Sequence, residues 1–123
     1  LAPAVRLDYY CELVLEDLRT QKTTHFFPEL WALSNHDPFV FERMHELYAR
    51  ARAPLEEIVA EMRPDLPPEK RTAIVVFISA AMEGLTTFAG YGKPFAPRMG
   101  AIEAVATRAF KDVVRSIRAE DIP

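Results

Sequence analysis

The segment from Pro68 to Ala89 restricts the fold more than any other part of the sequence, because it is apolar over most of its length. Its β-branched run, Ile74 to Ile78, is also compatible with a buried strand. No turn residue separates that run from the apolar residues after it, and about twenty residues are too many for an ordinary strand. We therefore predict a helix over Pro68–Ala89, with more apolar surface than one neighbouring helix can cover.

Apolar residues recur at spacings of three and four through the rest of the chain, which indicates amphipathic helices. Asp37 is a favourable N-cap and Pro38 a favourable first helical residue. Pro28 suits the first turn of a short helix, and Pro54 is expected to kink a longer one near Arg50. We predict an all-α domain, a five-helix bundle with helices over about Val5–Gln21, His25–Ser34, Pro38–Met62, Pro68–Ala89 and Ala101–Ile117.

Length and composition indicate one domain over residues 1–123 and exclude several classes of function. The net charge is −3 and there is no basic stripe, so the chain is not expected to bind DNA by itself. The lone cysteine, Cys11, excludes an internal disulfide. The longest apolar run, Ala73 to Met82, is too short to cross a membrane. We expect a cytoplasmic protein without membrane contact, metal or other cofactor.

The last two predicted helices carry apolar stripes that point to a second copy of the chain. Small residues in these stripes allow close approach of helix axes, and two helices from each copy would make a four-helix bundle. The alternative is that one protomer satisfies both stripes. The predicted dimer contact consists of Ile74, Ile78, Ala81, Leu85 and Phe88, together with Ile102, Val105, Ala106, Ala109, Val113 and Ile117.

Several motifs, in this order, resemble the C-terminal half of TetR-family transcriptional regulators. The first is the stretch from Phe26 to Pro38, with the sequence FFPELWALSNHDP. It is followed by Glu46-Leu47-Tyr48, by Arg63 to Pro67, and by Glu83-Gly84-Leu85 within the apolar helix. The resemblance extends over nearly the whole chain.

This resemblance implies a homodimeric, one-component bacterial sensor, most simply a repressor. The family's helix-turn-helix domain would precede Leu1 and is absent from this sequence, so DNA would be bound only through that domain. The last two helices would form the dimer contact. A small, mostly apolar effector would lie among the first four helices and change the affinity of the dimer for DNA.

Candidate ligand-binding residues are aromatic, flexible or polar side chains near the apolar stripes, as expected of a mostly apolar pocket with a few polar groups. Ordinary core packing is the alternative for each apolar member, and helix-carbonyl bonding for the hydroxyls. The predicted set is Trp31, Phe41, Met44, His45, Tyr48, Phe77, Ser79, Met82, Glu83 and Thr86.

Glu83 is the sharpest of these candidates, because it interrupts a helix that is otherwise apolar around it. A buried carboxylate needs partners or costs several kcal/mol in desolvation. It is predicted to contact a ligand donor, to bond within the monomer, or to face the dimer contact. No catalytic residues are predicted. Two alternative functions are a small helical enzyme that uses Glu83 and His45 as acid and base, and a purely structural dimer without a cavity.

Overall fold

The computed structural model describes all 123 residues, and its regular structure is helical. The α-helices are α1 (Pro3–Leu18), α2 (Gln21–Ser34), α3 (Pro38–Met62), α4 (Pro68–Gly84), α5 (Thr86–Ala89) and α6 (Met99–Ser116). Two single 3-10 turns cover Ala96–Arg98 and Ala119–Asp121. Because α5 continues α4 after a break at Leu85, the chain forms the predicted all-α bundle of five long helices.

Helix α3 begins and ends as predicted. The Asp37 carboxylate accepts hydrogen bonds from the backbone N–H groups of Phe39 and Val40, at 2.9 and 3.2 Å. Pro54 lies inside α3 without ending it, and its missing N–H leaves the carbonyl of Arg50 without a helical partner. The next carbonyl, that of Ala51, accepts a hydrogen bond from the Tyr10 hydroxyl at 2.7 Å. The proline turn is therefore tied to α1.

The predicted start of the second helix was wrong. Helix α2 begins at Gln21 rather than His25, because the Thr20 hydroxyl accepts from the N–H of Thr23 and caps the helix earlier. Pro28 consequently lies in the helix interior and not in its first turn. Likewise, α6 begins at Met99, inside the segment expected to be a loop.

The core contains side chains from the inner faces of α1, α3, α4 and α6. Helix α1 packs against α2, α3, α4 and α6 and so lies at the centre of the domain. The residues that are essentially inaccessible to solvent include Leu7, Cys11, Leu15, Leu55, Val59, Val75, Ile78, Met82 and Val114.

Arg63 joins the end of α3 to the end of α6. The last carbonyls of a helix have no partner within it, and the Arg63 guanidinium donates to two carbonyls there, those of Val114 and Ile117. The same side chain pairs with Asp65 at 2.9 Å, and this contact lowers the pKa of Asp65. Arg63 therefore fixes α6 on the domain.

Replacing Arg63 by glutamine is expected to lower the free energy of unfolding by about 1–2 kcal/mol, because hydrogen bonds from a charged donor to the α6 carbonyls are lost. Arg118→Gln is the matched control, since Arg118 is exposed and its partners Glu120 and Asp121 are also on the surface. Its cost should stay below about 0.5 kcal/mol. Urea unfolding measures both; equal costs would contradict the role of Arg63.

The stretch Pro68–Ala89 is long and apolar enough to cross a membrane, with a mean hydropathy of 1.6 in its most apolar window. A core helix of a soluble protein meets the same two criteria, so this single stretch is weak evidence of a span. Only 33% of the window is buried within the chain. The uncovered part leaves an apolar surface on α4.

Candidate functional site

A cavity of about 270 Å³ lies between α1, α2 and α3, with the end of α4 at one side. It is open to solvent and most of its wall is apolar. Two carboxylates and no lysine or arginine line it. The lining residues are Leu13, Val14, Asp17 and Leu18 of α1, Thr23 and Phe27 of α2, Leu47, Tyr48 and Ala51 of α3, and Glu83 of α4.

Three polar side chains from three different helices lie close together at this cavity. The indole N–H of Trp31 donates to the Tyr48 hydroxyl oxygen at 2.7 Å. The Glu83 carboxyl group lies near the Tyr48 hydroxyl, and each of these two groups affects the pKa of the other. Phe27 lies beside the Tyr48 ring with 5.9 Å between ring centroids. A hydrogen bond thus joins α2 to α3 at the cavity wall, with Glu83 of α4 beside it.

Burial is the largest influence on the pKa values of Tyr48 and Glu83. It raises the pKa of Tyr48 to about 12, so the phenol keeps its proton and remains a donor at neutral pH. Burial also raises the pKa of Glu83, while the adjacent Tyr48 hydroxyl lowers it and the nearby negative charge of Asp17 raises it further. The effect of burial is the largest, so the pKa of Glu83 is raised overall.

Helix α2 is held beside the cavity by Thr24. Its buried hydroxyl donates to the carbonyl of Leu18 at 3.1 Å and accepts from the N–H of Tyr91 at 2.9 Å. Gly90 passes so close that an added Cβ would lie 2.6 Å from both the Thr24 hydroxyl and the carbonyl of Thr86. The absence of a side chain at Gly90 therefore allows the α5 turn to pack on α2.

The structure places two of the predicted ligand-binding residues, Tyr48 and Glu83, in the cavity lining and Trp31 directly behind Tyr48. Met82 is fully buried in the core and Met44 is nearly so, while Ser79 is half-buried. Thr86 is fully buried, and its hydroxyl has no hydrogen-bond partner. None of these four lines the cavity.

The remaining three ligand-binding candidates lie away from the cavity lining. Phe41 and His45 are exposed on α3, with 4.3 Å between their ring centroids. Phe77 is exposed on α4 and packs edge-on against Phe110 of α6, with 6.3 Å between ring centroids. The enzyme hypothesis requires His45 and Glu83 to lie together. His45 does not line the cavity that contains Glu83, so this requirement is not met there.

The residues predicted for a dimer contact divide into three groups. Ile74 and Ile78 are 3% and 0% exposed within the single protomer, so they pack in its core and offer no surface to a second copy. Phe88, Val105 and Ala109 are exposed. The others are half-buried: Ala81, Leu85, Ile102, Ala106, Val113 and Ile117.

An exposed apolar surface nevertheless covers α4, α5 and α6. It is composed of Val76, Phe77, Ala80, Gly84 and Phe88 with Ala101, Val105 and Ala109, and we name it the outer face. Beneath this surface α4 and α6 are in contact, where Phe77 packs against the buried Phe110. Phe88 and Val105, its most prominent members, are 62% and 70% exposed.

Most of the cavity wall was missed by sequence reasoning. Leu13, Val14, Leu47 and Ala51 were not among the candidates, although each lies on the same helix as residues with the expected apolar spacing. Ala51 is three residues after Tyr48 and four after Leu47, so the i+3 and i+4 neighbours on one face of α3 were the available signal. The sequence analysis chose candidates by the chemistry of their side chains. Which side chains line the cavity depends instead on the rotation of each helix about its own axis.

The helical architecture and the open cavity are those expected of the regulatory half of a TetR-type protein. Residues 3–115 match the family described as "BetI-type transcriptional repressor, C-terminal", and the chain belongs to this family. The match confirms the resemblance found in the sequence and identifies a domain of a transcriptional regulator. No curated protein and no solved structure matches the chain.

Proposed function

We propose that this chain is the effector-sensing and dimerisation domain of a one-component, cytoplasmic repressor, with the effector bound in the cavity at Tyr48 and Glu83. The observation that carries the proposal is an open, mostly apolar cavity lined by two carboxylates and by no lysine or arginine. Such a cavity suits a small, mostly apolar molecule with one polar group. Its volume, about 270 Å³, is slightly below the range of about 300–1,000 Å³ that is usual for ligand pockets, so the effector should be small.

The outer face supports dimerisation as the second part of the function. The chain exposes 7606 Å² of solvent-accessible surface. A compact monomer of 14.0 kDa should expose roughly 6,700 Å². The excess is comparable to the roughly 800 Å² that each partner contributes to a standard interface. An isologous contact through the outer face would cover this excess on both copies.

In the complete regulator, DNA would be bound by a helix-turn-helix domain outside this sequence. An effector then acts by preferring one arrangement of the dimer over the other. Moving such an equilibrium from 1:99 to 99:1 requires a difference of about 5.5 kcal/mol in binding free energy. Because α4 carries both Glu83 and half of the outer face, effector contact and dimer contact share one helix.

The proposal predicts that filling the cavity abolishes effector binding. A panel of small apolar amines, alcohols and aromatic compounds is screened by thermal shift, where a ligand at 100 times its Kd adds about 2.7 kcal/mol to the stability. Ala51→Trp places a large ring in the cavity lining and should remove the shift. Ala49→Trp is the matched control, since Ala49 is exposed on the same helix and does not line the cavity.

Two results would overturn the sensing function. The first is a panel in which no compound stabilises the wild-type chain, as expected of a purely structural dimer. The second is unchanged binding in the Ala51→Trp variant, which would place the ligand elsewhere.

A further inference from the structure

Residues 84–102, which run from the end of α4 into α6, differ in charge from the rest of the chain. They contain Lys93 and Arg98 but no aspartate or glutamate, so all 18 carboxylate side chains lie outside this segment. The exposed Arg98 makes no ion pair within the chain. The next carboxylate after it, Glu103, pairs instead with Arg19 of α1 at 3.5 Å. Arg98 is therefore a free cation on the surface of a protein whose net charge is −3.

An apolar groove of about 560 Å³ begins at Arg98 and follows the first two turns of α6. Besides Arg98, its lining residues are Phe95, Ala101, Ile102 and Val105. Phe95 and Val105 are 55% and 70% exposed. The volume lies within the range of about 300–1,000 Å³ that is usual for ligand pockets. We name this depression the α6 groove; it combines an apolar wall with a single cation.

Backbone hydrogen bonds fix the turn that forms one side of the α6 groove. The N–H of Phe95 donates to the carbonyl of Phe88 at 3.0 Å, and the N–H of Arg98 donates to the carbonyl of Phe95 at 2.9 Å. Met99 follows directly and is buried in the core. Because the turn is held at both ends, the groove needs little ordering of the backbone when a ligand binds.

We propose that the α6 groove binds a free aliphatic carboxylate, and that this ligand competes with a second copy of the chain for α6. The guanidinium of Arg98 matches a carboxylate with two parallel N–H···O bonds, while the hydrocarbon chain contacts Ile102 and Val105. A neutral amphiphile lacks the ion pair, and a cationic one is repelled by Arg98. The cavity at Tyr48 and Glu83 is a separate site, and its two carboxylates make it unsuitable for an anion.

The competition follows from residues that two surfaces share. Ala101 and Val105 belong both to the α6 groove and to the outer face. A hydrocarbon chain in the groove and a second copy on the outer face cannot both cover these side chains. This part of the inference rests on the proposed dimerisation, whereas the binding of the carboxylate does not.

The length of the groove determines the probe. A helix rises about 1.5 Å per residue, so Arg98 and Val105 lie about 10 Å apart along α6, the length of an extended chain of about eight carbons. Octanoate is therefore compared with octan-1-ol, octylammonium and acetate by calorimetry at neutral pH. All four are measured on the Ala51→Trp variant, so that binding in the other cavity does not contribute. Octanoate should bind at least tenfold more tightly than each of the other three, and equally well to the wild-type chain.

Two pairs of variants test the residues of the groove. Arg98→Gln should lower the affinity for octanoate about tenfold and remove the preference over octan-1-ol. Arg115→Gln is its matched control, since Arg115 is also exposed on α6 but does not line the groove. Ala101→Trp should fill the groove and abolish octanoate binding. Ala104→Trp, at an exposed position of α6 outside the lining, should leave it unchanged.

Sedimentation velocity tests the competition. Octanoate at ten times its Kd should raise the apparent dissociation constant of the wild-type dimer about a hundredfold, because the ligand must leave both protomers before they associate. The Arg98→Gln variant should form dimers without octanoate, and the same concentration of octanoate should change its dissociation constant far less.

Each outcome supports or overturns one part of the inference. If octanoate does not bind, if octan-1-ol binds as tightly, or if Arg98→Gln leaves the affinity unchanged, the carboxylate site is overturned. If octanoate binds the wild-type chain but not Ala51→Trp, the ligand lies in the other cavity and the groove is overturned as its site. If octanoate binds in the groove and the dimer is unaffected, the competition is overturned. A wild-type chain that is monomeric without octanoate overturns the competition together with the proposed dimerisation, while calorimetry still decides the carboxylate site.

Discussion

A Phe88→Glu variant is expected to be monomeric at micromolar concentration, whereas the wild-type chain is expected to sediment as a dimer. Phe88 is 62% exposed in the protomer and lies on the outer face. A two-fold contact would bury each substituted position, so two unpaired carboxylates would enter an apolar interface. Each costs several kcal/mol, which corresponds to a rise in the dimer dissociation constant of about a thousandfold or more.

The matched control for this variant is Phe39→Glu. Phe39 is 66% exposed, which is close to the value for Phe88, but it lies in the first turn of α3 and outside the outer face. Sedimentation velocity over a range of concentrations should show a dimer for the control and a monomer for Phe88→Glu. A monomeric wild-type chain would refute dimerisation, and a dimeric Phe88→Glu variant would place the contact on another surface.

An Ile78→Ala variant is expected to lose about 2–5 kcal/mol of unfolding free energy, the usual cost of removing a fully buried aliphatic side chain. Ile78 is 0% exposed and contacts the core on the inner side of α4. At a fixed protein concentration, chemical denaturation should show this loss clearly. The folded fraction should still form dimers as the wild type does, because the outer face is unchanged.

Leu33→Ala is the control for Ile78→Ala, since Leu33 is an aliphatic residue that is 50% exposed on α2. Its effect should be well below that of the core variant, at most about 1 kcal/mol. The sequence analysis had assigned Ile78 to the dimer contact. A large loss of association with little loss of protomer stability in Ile78→Ala would favour that assignment over the core position seen here.

Helix number and order could be predicted from the sequence, because apolar spacing and capping residues are local signals. Asp37 before Pro38 fixed the start of α3, and its side chain caps the helix as expected. The start of α2 was missed because three threonines near it, Thr20, Thr23 and Thr24, are all able to cap a helix, and only the structure shows that Thr20 does so. Competing caps of similar strength are not resolved by propensity alone.

The orientation of α4 was the harder problem. This helix has apolar residues on nearly all sides, so its periodicity does not identify which face packs inward. Ile78 and Phe77 are consecutive, yet the first is buried in the core and the second is exposed. Only the positions of α1, α3 and α6 around α4 decide between them, and those are tertiary contacts.

For the candidate site, Glu83 and Tyr48 were accessible from the sequence, because a carboxylate within an apolar helix and a tyrosine in an apolar stripe are unusual enough to be noticed. The apolar residues of the cavity wall could not be identified from the sequence. Leu13 and Leu47 have the same chemistry as core leucines, and only the spacing between α1 and α3 leaves them beside an opening. Whether an aliphatic side chain lines a cavity depends on the distance between the neighbouring helices.

Glu83 and Gly84 are neighbours in the chain, but the first borders the cavity and the second belongs to the outer face. Consecutive helical residues are rigidly related, so α4 cannot rotate about its axis at one of these positions without rotating at the other. In the proposed dimer, an occupant that rotated α4 by drawing Glu83 toward itself would turn Gly84 and Phe77 against the second protomer by the same angle. Ligand binding and the change in the dimer contact would then result from the same rotation of α4. No intervening side chains would connect the two, so no mutation of such side chains could uncouple them.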